Sequence, residues 1–368
     1  MSAEEPILLT PGPLTTSMRV KQAMLRDWGS RDEAFVALNR HVIGQIARIA
    51  GCDESYAVVP LQGSGTYAVE AMIATLAPTD GRTLVLANGS YGRRIVEICR
   101  RLGRNHDVYE VPEDETHDMA ELGRRLAEDP GIRAVAAVHC ETTSGLLNPL
   151  QAISDVVVKA GRALLVDSMS GFGALPVDAG QLRFAALAAS ANKCLQGAPG
   201  VAFVICRKAD LATSKGRSPS LVLDLEDQHR QMTTDGQWRY TPPTHVIAAL
   251  GAAIDELVEE GGSEARLRRY TANCDTLITG MQELGFRPVL PRERQAPVIV
   301  SFFEPQDAWF DFTTFYDLLR QRGFAIYAGK MKQGGTFRIG TIGAIDPQTI
   351  AAFLVAAGDV VSEMRRGH

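Results

Sequence analysis

The sequence predicts an α/β fold with a largely parallel central sheet, followed by a smaller α+β region. Between about residues 60 and 206, short apolar runs alternate with helix-like stretches. The runs lack the polar–apolar alternation of a half-exposed strand, which is typical of a sheet covered by helices on both faces. Past residue 259 the pattern changes to a long, Arg-rich amphipathic helix.

The predicted elements follow one another in the order that such a sheet requires. Strands are expected at residues 84–87, 108–111, 134–138, 163–166 and 201–205, with helices at 91–102, 118–128 and 150–160. In the C-terminal third, a helix is expected at 263–284, a strand at 298–302, a helix at 312–322 and strand-like runs at 324–327 and 336–340. Ligands of two-domain α/β proteins bind at the carboxyl ends of strands and in the cleft between the domains.

Composition and charge exclude several classes of protein. The 368 residues are 45% hydrophobic and 22% charged, an ordinary balance for a globular chain. A net charge of -5 provides no sequence-wide basic field for nucleic acid. No apolar run approaches the ~20 residues of a membrane span, and the acidic start at residues 1–5 lacks the basic region of a signal peptide. We therefore expect a cytoplasmic protein.

The cysteines and histidines do not indicate a metal site. The six cysteines are scattered without a C-x-x-C pair, and the seven histidines show no metal-ligand spacing. A disulfide framework is not expected in a large, acidic chain of this kind.

Residues 62–68 combine two glycines and two hydroxyl side chains at the start of a helical pattern. Free backbone N–H groups and the positive end of the helix dipole make such a segment a phosphate site. The letters also fit a dinucleotide fingerprint, but Pro60 interrupts the approach and no acidic residue follows at the expected distance. The remaining alternative is a glycine-rich turn that only caps a core helix.

Two further residues end or interrupt apolar runs. Asp167 ends the predicted strand at 163–166, where it either binds a ligand or forms a turn. Lys193 stands between a run of small apolar residues and a glycine-rich segment, which favours a desolvated amine able to form a Schiff base. The alternative is a structural lysine that extends out to solvent.

Together these three features match the needs of pyridoxal phosphate: a phosphate anchor, a partner for the pyridinium nitrogen and an amine that traps the aldehyde. Asp167 and Lys193 are 26 residues apart (193 − 167), enough for one crossover and a return to the same region of the sheet. Agreement among the three is a stronger indication than any one of them.

The chain resembles the class V aminotransferases, which are pyridoxal-phosphate enzymes of fold type I. Within that family it is similar to the members that act on 2-aminoethylphosphonate and pyruvate. The resemblance runs through nearly the whole chain. It is carried by residues 9–16 (LTPGPLTT), 61–66 (LQGSGT), 139–145 (HCETTSG), 166–170 (VDSMS), 192–194 (NKC), 236–245 (GQWRYTPPTH) and 336–340 (TFRIG).

The resemblance implies a division of the chain and a set of cofactor contacts. An N-terminal arm (1–14) lies near the active site, a large domain (15–258) binds the cofactor, and a small domain (259–368) follows. Lys193 carries the cofactor covalently and Asp167 pairs with its ring nitrogen. The remaining cofactor contacts implied are Ser64, Gly65 and Thr66 on the phosphate, Thr143 near the ring hydroxyl, Tyr91 on the ring face, and Asn192.

The resemblance also implies substrate contacts and a partner. Arg338 binds the acid group of each substrate, and Gly12 of the arm lies close by. Thr241 reaches the phosphate of the neighbouring subunit, so that a homodimer shares its active sites. Without the family, Tyr91 is equally a core aromatic residue, and Arg338 is a surface charge on a strand. Thr143 alone is equally a cap of the helix after residue 149.

The implied reaction moves the amino group of 2-aminoethylphosphonate to pyruvate, giving phosphonoacetaldehyde and L-alanine. The alternatives are another class V aminotransferase, such as an alanine– or serine–glyoxylate enzyme, a non-catalytic pyridoxal-phosphate-binding protein, and, more remotely, a dehydrogenase. The chain departs from the family pattern at Arg31, where an aromatic residue is common, and at Ala328, where proline is common. Both departures bear on the choice of amino donor.

Overall fold

The computed structural model describes residues 5–332 and 334–367. Residues 1–4 of the predicted arm, together with 333 and 368, lie outside the described residues. In chain order the strands are β1 (Ile7–Leu8), β2 (Tyr56–Gln62), β3 (Arg82–Ala87), β4 (His106–Glu110), β5 (Ile132–Val138), β6 (Cys140–Glu141), β7 (Leu146–Leu147), β8 (Ala163–Asp167), β9 (Ala186–Ser190), β10 (Val201–Arg207), β11 (Ile299–Phe303), β12 (Phe324–Ala325), β13 (Tyr327–Ala328) and β14 (Thr336–Gly340).

The helices alternate with these strands. They are α1 (Met18–Gln22), α2 (Glu33–Ile49), α3 (Gly65–Leu76), α4 (Ser90–Arg101), α5 (Met119–Glu128), α6 (Leu150–Lys159), α7 (Ala179–Leu182), α8 (Lys208–Ala212), α9 (Leu225–Asp235), α10 (Thr244–Glu260), α11 (Gly262–Glu283), α12 (Phe312–Gln321) and α13 (Pro347–Arg366), with a 3-10 turn at Ala23–Leu25. In the part of the chain that the structure describes, no helix has the length and apolar character to cross a membrane.

The central sheet has seven strands in the order β2-β10-β9-β8-β5-β3-β4. All neighbouring pairs are parallel except those made by β10, which runs antiparallel to β9 and β2. Alternate residues of β5 enter different hydrophobic clusters, Val135 and Ala137 on one face, Ala134 and Ala136 on the other. Burial on both faces explains the unbroken apolar runs, and the predicted α/β fold with a mostly parallel sheet is confirmed.

Strand β2 differs from the sequence prediction. Pro60 does not interrupt the approach to the glycine-rich loop, because β2 continues through it and pairs with β10 along its whole length. β2 is the last strand at its side of the sheet, and an edge strand tolerates a residue that has no backbone N–H to donate. The loop at 63–64 therefore follows a strand directly.

The C-terminal part of the chain forms a second layer of sheet and helices. Strands β11, β14 and β13 make an antiparallel sheet in that order. Its hydrophobic cluster gathers α11, α12 and α13 around Phe337, which contacts the rings of Phe286, Phe302 and Phe315. This packing fixes the strand that carries Arg338, and Arg338 reaches the carbonyl of Thr142 just after β6.

The start of the chain joins this C-terminal layer. Strand β1 pairs in parallel with β12, and the carbonyl of Leu9 accepts a hydrogen bond of 2.8 Å from the N–H of Gly340. A Cβ at Gly340 would lie 2.4 Å from the carbonyl carbon of Thr10, so glycine is required for this close approach. These contacts direct residues 9–13 from β14 toward Lys193.

Candidate active site

The loop between β2 and α3 ends in an uncapped helix terminus. Ser64 occupies the N-cap position of α3, yet its hydroxyl makes no capping hydrogen bond. A Cβ at Gly65 would lie 2.1 Å from the sulfur of Met169, so a larger residue there requires that methionine to move. Free N–H groups, a free hydroxyl and the helix dipole together can hold a phosphate group.

Lys193 lies in a turn after β9, and its amine points inward rather than toward solvent. Its Nζ donates hydrogen bonds to the carbonyl oxygens of Pro11 at 2.7 Å and Gly12 at 3.2 Å. Among the described residues it forms no ion pair with a carboxylate. Burial lowers the pKa of Lys193, which favours the neutral amine that reacts with an aldehyde.

Asp167 is the last residue of β8 and is 6% exposed. Its Oδ1 accepts a hydrogen bond of 3.0 Å from the N–H of Met169. Burial raises the pKa of Asp167 to about 6, because the hydrogen bond from Met169 and the charges of Arg94 and Lys193 offset the loss of water only in part. A carboxylate in this setting gains most from a cationic partner, such as a protonated ring nitrogen.

Tyr91 is the second residue of α4 and lines the same space. The guanidinium of Arg94 lies 4.8 Å from the centre of its ring, and the amine of Lys330 lies 5.8 Å away. Burial raises the pKa of Tyr91, but a hydrogen bond with Thr142 and the nearby cations bring it below its ordinary value. The ring thus forms one wall of an electropositive cavity.

These groups surround a single cavity of about 320 Å³. Its size lies in the usual range of small-molecule sites, which is roughly 300–1,000 Å³. The lining residues are Gly12, Pro13, Ser64, Gly65, Thr66, Val69, Tyr91, Arg94, Ile95, Asp167, Met169, Ser190, Asn192, Lys193 and Pro199. The structure therefore brings together eight of the residues singled out from the sequence: Gly12, Ser64, Gly65, Thr66, Tyr91, Asp167, Asn192 and Lys193.

Three predicted site residues lie outside this lining. Thr143 is fully buried behind the wall, where its hydroxyl accepts a hydrogen bond of 2.9 Å from the N–H of Ser90 and caps α4. The sequence pattern also allowed Thr143 as a cap of the helix after residue 149, but the helix that it caps is α4. It is Thr142 that hydrogen-bonds Tyr91. Thr241 lines a neighbouring cavity of about 630 Å³, which also contacts Ser64 and Asn192.

Arg338, the third residue, is 2% exposed and is not a surface charge. Its Nε donates to the carbonyl of Ala328 at 3.0 Å and its Nη1 to the carbonyl of Thr142 at 3.0 Å. Burial lowers the pKa of Arg338, and no carboxylate pairs with it among the described residues. Its Nη2 has no partner there either, which leaves donors available for an acid group.

Sequence reasoning missed two polar residues of this region. The carboxylate of Glu141 accepts hydrogen bonds from the N–H groups of Tyr91 at 3.1 Å and Gly92 at 3.2 Å, and burial raises its pKa. It therefore holds the first turn of α4, and with it Tyr91. Arg94 donates from Nη1 to the Thr66 hydroxyl at 3.1 Å. Its position three residues after Tyr91, on the same helix face, was the available signal.

The residues present fit a phosphorylated aldehyde cofactor. The amine of Lys193 can trap the aldehyde, the start of α3 can hold the phosphate, and the buried carboxyl of Asp167 can pair with a ring nitrogen. Gly12 leaves room for this amine, because a Cβ there would lie 2.6 Å from Cδ of Lys193.

Comparison with known proteins agrees with this arrangement. The family model described as aminotransferase class V matches residues 18–334. A 2-aminoethylphosphonate–pyruvate transaminase of Pseudomonas putida (strain W619) is 51% identical over 359 residues, covering 98% of both chains. A protein of the same name from Pseudomonas fluorescens (strain Pf-5) is 50% identical over 364 residues, covering 99% of both chains.

Solved structures give the same result at the level of the fold. A pyridoxamine–pyruvate aminotransferase from Mesorhizobium loti superimposes with a TM-score of 0.91 at 25% identity, covering 100% of this chain and 94% of that one. An aspartate aminotransferase from Thermus thermophilus gives a TM-score of 0.87 at 25% identity, covering 97% and 99% of the two chains. The chain belongs to the class V aminotransferases.

Proposed function

We propose that this transaminase uses pyridoxal phosphate to move the amino group of 2-aminoethylphosphonate to pyruvate, giving phosphonoacetaldehyde and L-alanine. The observation that carries the proposal is the desolvated amine of Lys193, which shares one cavity with Asp167 and an uncapped helix terminus. The choice of donor is supported by the relatives at 50–51% identity that bear this name.

Bound pyridoxal phosphate supplies an electron sink for the carbon next to the amino group. Lys193 holds the cofactor and, once released, moves the proton at that carbon, a role that needs a lowered pKa. Asp167 keeps the ring nitrogen protonated, because a buried carboxylate strongly favours a cationic neighbour. Ser64, Gly65 and Thr66 hold the phosphate.

Three further residues complete the proposed cofactor site. Tyr91 covers one face of the ring, and Asn192 forms part of the wall beside the lysine. Thr143 is buried, so its effect on the cofactor ring is indirect. Its hydroxyl holds the N–H of Ser90, which fixes the start of α4 and therefore the position of Tyr91. The hydroxyl that contacts Tyr91 directly is that of Thr142.

We propose that Arg338 binds the acid group of both substrates. Two backbone carbonyls fix Nε and Nη1, so the guanidinium is held in one orientation before the substrate arrives. A planar guanidinium pairs with a carboxylate or a phosphonate through parallel hydrogen bonds. Gly12, from the arm, lines the cavity beside Lys193. In the proposed division, Arg338 belongs to the small domain (259–368) and the cofactor residues to the large domain (15–258), with the arm (1–14) between them.

We further propose a homodimer with shared active sites. The cavity that contains Thr241 opens beside Ser64 and is bordered by exposed apolar side chains, Val222 at 59% and Tyr240 at 48% exposure. Apolar surface of this kind marks an interface, and a second copy covering it would bring Thr241 toward the neighbouring phosphate. Sedimentation of the purified protein at about twice the mass of the chain supports this assembly.

We propose that the enzyme works in the cytoplasm. Its six cysteines are free thiols and five of them are buried, which fits a reducing compartment. Activity that separates with the soluble, cytosolic fraction of cells supports this location.

The departures from the family pattern bear on the donor. Ala328 supplies the carbonyl that holds Nε of Arg338, a contact that proline in its place would also provide. Arg31 lies on a separate surface cavity with Arg239 and Thr241, away from the lysine. Because Thr241 is proposed to reach the phosphate of the neighbouring subunit, Arg31 beside it bears on that subunit's site. A class V enzyme acting on alanine or serine and glyoxylate therefore stays the second candidate.

The experiment that tests the proposal incubates the purified enzyme with 2-aminoethylphosphonate and pyruvate and follows alanine. A panel with serine, alanine and glyoxylate runs beside it. Amino transfer from serine or alanine but not from 2-aminoethylphosphonate would favour the second candidate, and no transfer from any donor would favour a non-catalytic binding protein.

Lys193→Ala is expected to abolish both alanine formation and the visible absorbance of lysine-bound cofactor. Lys159→Ala removes an exposed lysine at the end of α6 and serves as the control that keeps both. Persistence of the visible band in Lys193→Ala would show that another amine holds the cofactor.

A further inference from the structure

The turn that carries Lys193 is tied to α11 by a buried arginine. After Lys193, the carbonyl oxygens of Cys194 and Leu195 accept hydrogen bonds from Nη1 of Arg266 at 2.9 and 3.4 Å. Arg266 is 1% exposed. Because burying a guanidinium is costly unless it is paired, the contacts that compensate for the lost water are held firmly.

Glu260, the last residue of α10, supplies the compensating charge. Its carboxylate accepts hydrogen bonds from Nε of Arg266 at 2.9 Å and from Nε of Arg269 at 2.8 Å. Burial raises the pKa of Glu260, but the two arginines outweigh burial and hold it below its ordinary value. The carboxylate stays ionised at neutral pH and fixes the orientation of Arg266.

The same cluster reaches the segment that follows β14, the strand that carries Arg338. Nη1 of Arg269 donates to the carbonyls of Gly343 at 2.8 Å and Ile345 at 2.6 Å. The side chain of Gln196 donates to the carbonyl of Gly343 at 2.7 Å and also to the Tyr270 hydroxyl. One face of α11 therefore holds both the lysine turn and the segment that follows the acid-binding strand.

The backbone of the lysine turn needs this support. Gln196 has a φ of 64°, in the left-handed region that residues other than glycine rarely adopt, and it is 3% exposed. Such a conformation persists only where the surroundings impose it. Arg266 holds the two carbonyls before Gln196, while Tyr270 and Gly343 hold its side chain.

We infer that Arg266 is a positioning residue for Lys193. By holding the carbonyls of the next two residues, it sets the direction in which the lysine amine enters the cavity. The inference rests on the proposed role of Lys193 in binding the cofactor, but it does not depend on which amino donor the enzyme uses. A displacement of a reacting group by about 1 Å can cost about 10²-fold in rate.

The test compares wild-type holoenzyme with Arg266→Met and Arg266→Lys. The methionine variant removes every contact, whereas the lysine variant keeps a positive charge beside Glu260 but cannot serve Glu260 and both carbonyls together. In both variants the pH midpoint of the visible band of lysine-bound cofactor is expected to move. We expect kcat to fall about tenfold or more, with the KM for pyruvate changed by less than about twofold.

Arg104→Met is the matched control. Nη2 of Arg104 also donates to two backbone carbonyls, those of Ala74 and Arg217, both at 2.6 Å, but not to the lysine turn. It is expected to lower the thermal midpoint while leaving the pH midpoint of the band and kcat unchanged. If Arg266→Lys and Arg266→Met behave in the same way as this control, Arg266 only stabilises the fold and the inference is wrong.

The remaining outcomes are also decisive. If Arg266→Met does not fold, the lysine variant carries the comparison, because it retains the charge that Glu260 requires. If the wild-type enzyme shows the visible band but rejects 2-aminoethylphosphonate, the proposed donor is wrong. The pH midpoints of the variants then still decide the role of Arg266.

Discussion

Replacing Asp167 by asparagine tests the electrostatics of the cavity in the protein free of cofactor. The substitution keeps the size of the side chain and an oxygen that accepts the hydrogen bond from the N–H of Met169. It removes the charge that burial disfavours, since the pKa of Asp167 rises from 3.8 to about 6. The cofactor-free variant is therefore expected to be more stable than the wild type, although it is less suited to the reaction.

The sign and size follow from linkage. Because the folded wild type holds the proton of Asp167 more tightly than the unfolded chain, its stability falls as the pH rises from 3.8 to about 6 and stays lower above that. The raised pKa of Asp167 lowers the free energy of unfolding of the wild type by about 3 kcal/mol at pH 8, but only by about 1.5 kcal/mol at pH 5. Asparagine is neutral at both pH values. The free energy of unfolding of the variant, relative to the wild type, is therefore expected to be about 1.5 kcal/mol higher at pH 8 than at pH 5.

The assay is urea unfolding of both cofactor-free proteins at pH 5 and pH 8. Asp155→Asn, at an exposed position of α6, is the control and is expected to change stability by less than about 0.5 kcal/mol at either pH. An equal advantage at both pH values, or a loss of stability at pH 8, would refute the reasoning. Adding pyridoxal phosphate should reverse the order, because tighter binding to the folded wild type stabilises it more.

Three smaller substitutions probe neighbouring contacts. Gly12→Ala places a Cβ 2.6 Å from Cδ of Lys193 at a φ of +110°, so we expect urea unfolding to show a loss of about 1–3 kcal/mol, and titration a weaker affinity for the cofactor. Ser64→Ala removes a hydroxyl without a capping bond; cofactor affinity in titration should fall about tenfold while stability stays within about 0.5 kcal/mol. Thr143→Val leaves the first amide of α4 without its buried cap and should lower the free energy of unfolding by about 1–3 kcal/mol; Thr276→Val, on an exposed stretch of α11, is its control.

The sheet was predictable from the sequence where burial leaves a clear pattern. Strands covered on both faces keep continuous apolar runs, and β14 coincides with the predicted run at 336–340. Strands β2 and β9 were missed for local reasons. β2 contains Pro60, and β9 consists of Ala, Leu and Ser, residues that favour a strand weakly by themselves. Their strand form depends on pairing with β10, which sequence patterns do not reveal.

The residues of the candidate site also fall into those that the sequence pattern identified and those that depend on tertiary contacts. Ser64, Asp167 and Lys193 each stand at the end of a recognisable element, so the type of residue and its place were enough to single them out. Glu141 contributes through the packing of α4 against β6, a contact between segments about 50 residues apart, and Arg94 through its hydrogen bond to Thr66 on α3. The choice between Thr142 and Thr143 was not predictable, because both lie in the turn between β6 and β7, where no helix or strand period fixes the direction of a side chain.

The path of the arm has a consequence for how the enzyme matures. Segment 7–13 leaves the ribosome well before its backbone partners at 324–325 and 340, which are synthesised more than three hundred residues later. Until those residues emerge, the carbonyls of Pro11 and Gly12 cannot be presented to Lys193. A nascent chain therefore has an incomplete pocket until residue 340 has emerged, even though the strands of the central sheet are already made. A bulky group ahead of residue 7 is expected to interfere with the docking of this segment rather than with the central sheet.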